Sequence, residues 1–203
     1  MHYRSEIDGL RALAIIPVVL FHAGVEFCSG GFLGVDIFFV ISGYLITGII
    51  VKETQENKFS VINFLTRRAR RILPPLYFMM FFVSIFYLLI ARPSVEECTL
   101  FRESLLSSVS FLSNFYFALN TGYFAASSEL LPFLHTWSLS VEEQFYLIYP
   151  PLLIIFLRLG KKFPIIFLLL IFFLSLALAQ LGSGILGKWN FYILPTRAWE
   201  ISL

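Results

Sequence analysis

The sequence predicts an all-α, polytopic transmembrane helix bundle, and three observations carry that prediction. The 203 residues are 58% hydrophobic and 18% aromatic but only 14% charged, with a mean hydropathy of +0.82. A soluble domain carries about 25% charged and about 45–50% apolar residues, so this chain lacks the polar side chains to cover a water-facing surface. Several apolar runs approach the roughly 20 residues that a helix needs to cross a hydrocarbon core about 30 Å thick. Positive charge is concentrated in one segment between two of those runs, as the positive-inside rule expects of a cytoplasmic loop. The same composition argues against a disordered chain or a disulfide scaffold. With Lys+Arg at 15 against Asp+Glu at 13, it also argues against a nucleic-acid partner.

In chain order, the first expected span is 8–26. Glu6, Asp8 and Arg11 interrupt its start and no small-residue cleavage pattern follows, so it reads as a retained helix and not a signal peptide. Further spans are expected at 32–51, 72–91, 134–157 and 163–181, separated by polar loops at 52–66, 92–103 and 120–132. Lys52, Lys58, Arg67, Arg68, Arg70 and Arg71 put the second connection, and with it the N-terminus, in the cytoplasm. Arg158, Lys161 and Lys162 fall on the same side only if the Ser-rich stretch 104–119 does not cross, which makes that stretch re-entrant or interfacial. Cys28 and Cys98 then share the outer side, either as a disulfide or as two separate thiols. Neither starts a CxxC pair, and no metal site is expected.

The scarce charges inside the spans are the informative residues. Arg11 and His22 are eleven positions apart, about 20° apart around a helix and about 16 Å along it, so both point to one face. Arg11 either snorkels toward Asp8 or faces a bundle interior; His22 is either a satisfied interior imidazole or a reactive one. A hairpin through 27–31 matches the depth of Asp36 to that of His22, so Asp36 either orients the imidazole or caps the second helix. Glu142 and Glu143 are expected near the same level, lining that cavity or lying at the surface. The RRARR run at 67–71 is a topology signal and also a set of guanidinium forks suited to phosphates.

Five blocks carry a resemblance. IDGLRALAIIPVVLFH, GGFLGVDIFFVISGYLIT, FLTRRARRILPPLY, LHTWSLSVEEQFYLIYP and LPTRAWEISL, in that order, closely resemble the integral-membrane acyltransferase type 3 family of bacterial O-acyltransferases that modify lipopolysaccharide, peptidoglycan and other exported glycans. The resemblance implies transfer of an acyl group, usually acetyl from acetyl-CoA, to a carbohydrate hydroxyl. The family's paired Arg and His fall on Arg11 and His22. Its RxxR pair falls on Arg68 and Arg71, with Arg67 and Arg70 as an overlapping second choice, and its WSLSVEEQFY block matches at Trp137, Ser138 and Glu142. The family's membrane domain is similar to a bundle of about ten helices, so this sequence, with about five or six spans of bilayer length, resembles its N-terminal part.

Together these readings give a membrane-bound O-acyltransferase of the bacterial inner membrane, with membrane lipid and a carbohydrate acceptor as partners and the remaining C-terminal helices of a longer enzyme as its complement. His22, Asp36 and Glu142 are the expected catalytic residues, with His22 acting as base or nucleophile. Arg11, Arg68 and Arg71 are expected to hold the phosphates of acyl-CoA. A glycan or acyl-carrier transporter, which also places charge within helices, and a non-catalytic membrane fragment are the alternatives.

Overall fold

A computed structural model describes residues 5–120 and 131–203, and among these every regular element is helical. Helix α1 (Ser5–His22) turns through two short 3-10 segments into α2 (Gly34–Gln55). It stops four residues before the expected end of the first span, where Gly24 takes a left-handed φ of 76°. α3 (Val61–Phe86) begins eleven residues before the expected span, with Ser60 accepting a hydrogen bond from the Asn63 amide at 3.4 Å. The RRARR run therefore lies within a helix, not at its entrance. α3 runs on through a π turn, Tyr87–Ala91, to Arg92 in the left-handed region.

The expected loop 92–103 is largely helical. α4 (Val95–Val109) opens on a reciprocal cap in which Ser94 N–H donates to Glu97 Oε2 at 2.7 Å and Glu97 N–H donates to Ser94 Oγ at 3.3 Å. These bonds from Ser94, the backbone one foremost, hold the Glu97 carboxyl below its usual range. Phe111, at φ 55°, breaks the 104–119 stretch between α4 and α5 (Ser113–Asn120). Eight residues extend only about 12 Å, far short of a bilayer core.

The serines of this stretch dock it onto α6 (Thr136–Leu159). Ser108 and Thr136 hydroxyls pair at 2.8 Å, Ser113 and Ser140 at 2.7 Å, and Gln144 Nε2 donates to Asn114 Oδ1 at 2.9 Å. Buried hydroxyls and amides joining helices in this way are a recurring means of membrane helix association. α7 (Phe163–Ile185), a single turn α8 (Trp189–Tyr192) and α9 (Leu194–Ser202) complete the chain.

Among the described residues three helices, Gly31–Gln55, Val61–Ala91 and Phe163–Ile185, are long and apolar enough to cross a membrane. They contain the expected spans 32–51, 72–91 and 163–181. The other two fall on α1 and α6, which carry Glu6, Asp8 and Arg11, and Glu142, Glu143 and Arg158, respectively. The chain is a polytopic helical membrane protein. Phe39, Ile46, Ile50, Phe64, Val141 and Leu153 form its core, while Phe78, Leu89, Ile165 and Leu174 remain exposed on α3 and α7, as lipid-facing side chains do.

Helix α2 lies between α1 and α9, and two glycines allow it. A Cβ on Gly34 would stand 2.0 Å from the Ala14 carbonyl oxygen, and one on Gly43 would stand 1.6 Å from that of Ile201. Both neighbours are backbone, so neither yields easily. Cys28 and Cys98 are free thiols, which leaves the second of the two expected arrangements.

Candidate functional site

The ionisable side chains within the bundle gather in two places. The first lies where α1, α2, α3 and α6 meet. Arg68, half-buried one-third of the way along α3, sets its guanidinium 5.6 Å from the ring centroids of both Phe64 and Tyr146, a stacked position that leaves its N–H fork available. Arg71, Arg11 and Glu142 lie within electrostatic reach of it. Arg11 meets Asp8 at 3.5 Å through Nη1, so the snorkelling contact exists. Its Nε is nonetheless buried without a hydrogen-bond partner. Arg67, by contrast, is held by both oxygens of Glu53 at 2.8 and 2.9 Å. Of the two overlapping RxxR pairs, only the one containing Arg67 is thus already neutralised by a protein carboxylate.

Glu142 belongs to this first cluster and not to the His22 level where spacing had placed it. It is 5% exposed, its Oε1 has no partner, and the hydroxyls of Ser42 on α2 and Tyr146 on its own helix face the carboxyl group. Its partner on α2 is Ser42, eight residues into that helix, and not the first-turn Asp36, so the carboxyl lies deeper than the level of the hairpin. Neighbouring Glu143 also has a buried, unpartnered Oε1.

The second cluster lies at the opposite end of α1. His22 is exposed, and its Nδ1 lies 2.8 Å from the Val18 carbonyl oxygen. A carbonyl only accepts, so Nδ1 carries the hydrogen, which leaves Nε2 as the nitrogen that can bear a lone pair on this exposed ring. The ring stands edge-on to Phe21 at 5.2 Å and within electrostatic reach of His135, just before α6.

Asp36 does not orient His22. Its Oδ1 accepts from Arg197 Nη1 at 3.0 Å, and the same Nη1 donates to Glu200 Oε1. Arg197 Nε donates to the Phe191 carbonyl at 3.1 Å, and its guanidinium lies 4.6 Å from the Phe191 ring and 5.6 Å from that of Trp137. The depth match does not hold either: Gly31 packs on Pro17 and Phe21 and Gly34 on Ala14 and Val18, so Asp36, further along α2, lies below the level of His22, and α9 fills the side that it faces. Arg197 and Glu200 were missed although the TRAWE block was visible, because no span had been assigned beyond 181. Ser42 and Tyr146 carry no sequence signal that distinguishes them from packing residues. Among the described residues no group of His, Cys, Asp and Glu is arranged to hold a metal ion.

Chemically, the first cluster offers guanidinium donors of which, among the described residues, only Arg11 is in an ion pair, with Asp8, while Glu142 and Glu143 lie within electrostatic reach of Arg68 without bonding it; free N–H donors of this kind suit a phosphate. The second offers an exposed imidazole and, separately, an arginine neutralised by two carboxylates. An acyltransferase-domain family (Acyl_transf_3) matches residues 4–201. The chain is 40% identical over 162 residues to the peptidoglycan O-acetyltransferase OatA of Listeria monocytogenes, covering 79% of this chain and 26% of that protein. It is 42% identical over 159 residues to an uncharacterized protein of Haemophilus influenzae, covering 77% of this chain and 62% of that one. The chain thus spans about a quarter of the length of OatA. No solved structure matches it. With a match over almost its whole length, the chain belongs to the integral-membrane acyltransferase type 3 family.

Proposed function

We propose that this chain serves the transfer of an acyl group, acetyl in the first instance, from acyl-CoA to a hydroxyl of a cell-surface carbohydrate. The observation that carries this reading is the gathering of Arg68, Arg71 and Arg11 from two helices within one another's electrostatic reach. Like charges repel, so an arrangement of this kind favours an anion with several phosphates between them. The orphaned Nε of Arg11 supports the fit, because it is a buried donor with no protein acceptor. Arg68 and Arg71 grip the CoA phosphates at the basic end, Arg11 assists just inside, and the pantetheine arm extends along α1 toward His22. The basic end faces the cytoplasm of a bacterial cell, the N-terminus with it, and the acceptor approaches from the other side of the inner membrane.

At His22 the Val18 carbonyl fixes Nδ1–H, and Nε2 takes the proton from the acceptor hydroxyl. The hydroxyl oxygen forms the new bond to the thioester carbonyl carbon, the carbon–sulfur bond breaks, and the CoA thiolate leaves and recovers the proton from the imidazolium. If Nε2 itself attacks first, the acyl group rests on the imidazole before passing to the hydroxyl, and rapid-quench trapping of an acyl-histidine distinguishes the two routes. Glu142 lies at the donor end in this scheme, where its charge tunes Arg68 and does not touch the imidazole.

The test is binding of radiolabelled acetyl-CoA to the full chain in phosphatidylcholine nanodiscs. A charge-assisted hydrogen bond is worth about 1.5–3 kcal/mol, so Arg68→Ala and Arg71→Ala should each weaken binding by about tenfold or more. Unchanged affinity in folded variants would reduce the arginines to topology signals. His22→Ala should leave donor binding intact and abolish label transfer to a glycan acceptor.

A further inference from the structure

Beside Arg197, between the second half of α7 and the start of α9, lies an open cleft of about 410 Å³, within the range of about 300–1,000 Å³ typical of small-ligand sites. Gln180, Ser183, Asn190, Arg197, Trp199 and Glu200 are among its lining residues. We propose that this cleft is a binding site for an uncharged sugar ring, the acceptor subsite of the transfer reaction; the word acceptor rests on the acyl-transfer reading, whereas the chemistry of the occupant does not.

Three features point to an uncharged polyhydroxylated ligand. Glu200 is 2% exposed and lines the cleft, yet its Oε2 has no donor. A buried carboxylate oxygen without a partner costs free energy that an O–H donor recovers. The charge balance also excludes an anion. Arg197 is the one cation among the cleft's lining residues, and it is already bound to Glu200 in the cleft and to Asp36 behind it, so a phosphate here would find no uncommitted cation. The polyanionic donor is thereby directed to the Arg68 end. Finally, the rim combines amide and hydroxyl groups on Gln180, Ser183 and Asn190 with the rings of Phe191 and Trp199. Those are the two kinds of surface a pyranose presents: hydroxyls that both donate and accept, and an apolar C–H face.

The cleft is also at the right end of the bundle. Asp36 lies in the first turn of α2, directly after the connection that begins at His22. Trp137, two residues after His135, carries Arg197 over its ring. A sugar held against Glu200 therefore occupies the same end of the molecule as the exposed ring of His22.

The test uses tryptophan fluorescence of the full chain in phosphatidylcholine nanodiscs, titrated with a neutral oligomer of N-acetylglucosamine and, separately, with a sulfated oligosaccharide. Trp199 lines the cleft and is one of only three tryptophans in the sequence, so occupancy should give a saturable change. Ser183→Phe, at an exposed position of the rim, should weaken the neutral ligand at least tenfold with unchanged helical circular dichroism. Glu200→Gln should weaken it as well. The absence of saturable binding to folded wild type, equal binding by Ser183→Phe, or equal binding of the sulfated ligand would each overturn the proposal. Because no acetyl-CoA is present, saccharide binding without acetyl transfer would retain this site and remove the acyl-transfer reading. Acetyl-CoA binding and transfer without occupancy of the cleft would do the reverse.

Discussion

Arg68 and Arg197 are placed alike and committed differently. Each is a partly buried guanidinium stacked against two aromatic rings, Phe64 and Tyr146 for one, Phe191 and Trp137 for the other. Arg197 is spent on the protein itself, bound to Asp36, Glu200 and the Phe191 carbonyl across α2, α8 and α9. Arg68 forms no ion pair among the described residues, and its nearest charged company includes two more arginines. A buried arginine is therefore not one kind of residue. Where carboxylates reach it, it locks helices together; where they stop short, its donors stay available for a ligand.

The largest effect that separates the two should come from truncating each. Arg197→Ala leaves Asp36 and the 2% exposed Glu200 without their cation. Removing one partner of a buried pair typically costs about 3–5 kcal/mol. Arg68→Ala loses a stacking contact worth about 0.5–2 kcal/mol and relieves repulsion from Arg71 and Arg11. Thermal melts in detergent should thus show a large loss of midpoint for Arg197→Ala and a small one for Arg68→Ala, the inverse of their order in acetyl-CoA affinity. Equal destabilisation would mean that Arg68 is as structural as Arg197.

Gly43→Ala probes the same distinction from the backbone. The added Cβ would stand 1.6 Å from the Ile201 carbonyl oxygen, so α9 must move away from α2, and with it the Arg197 contact to Asp36. Overpacking of this sort costs about 1–3 kcal/mol. The expected outcome is a lowered melting midpoint together with weakened oligosaccharide binding but unchanged acetyl-CoA binding, since the arginines that hold the donor lie on α1 and α3. A parallel loss of donor affinity would show that the two clusters are mechanically one.

What the sequence made legible follows the same division. Helices α2 and α7 and the later part of α3 were visible because a run of about 20 apolar residues has few other uses. The arginines of α3 were visible as a charge run, and His22 and Arg11 as charges where none is cheap. Asp36 was noticed, but its partner lies 161 residues away, and spacing within one hairpin says nothing about a helix that arrives from the far end of the chain. The first part of α4 was read as loop, within 92–103, where Ser94, Glu96 and Glu97 are polar. In fact Ser-x-x-Glu there is a helix start, legible in hindsight from the capping pattern alone.

That cap supplies the smallest and cleanest control. Glu97 is held below its ordinary pKa by Ser94, so its contribution to folding is present above the unfolded value of about 4.3 and fades as pH falls through the lower, folded one. Ser94→Ala removes the side-chain half of the cap, at a cost of about 1 kcal/mol, and should lower the melting midpoint slightly at neutral pH. The difference from wild type should narrow in acid, as protonation takes the carboxylate from both proteins. Neither ligand should notice, because α4 touches neither arginine. If Ser94→Ala weakens acetyl-CoA or saccharide binding, general loosening of the bundle is enough to perturb the sites, and affinity losses in the arginine and glycine variants would need correction for it before they speak for local chemistry.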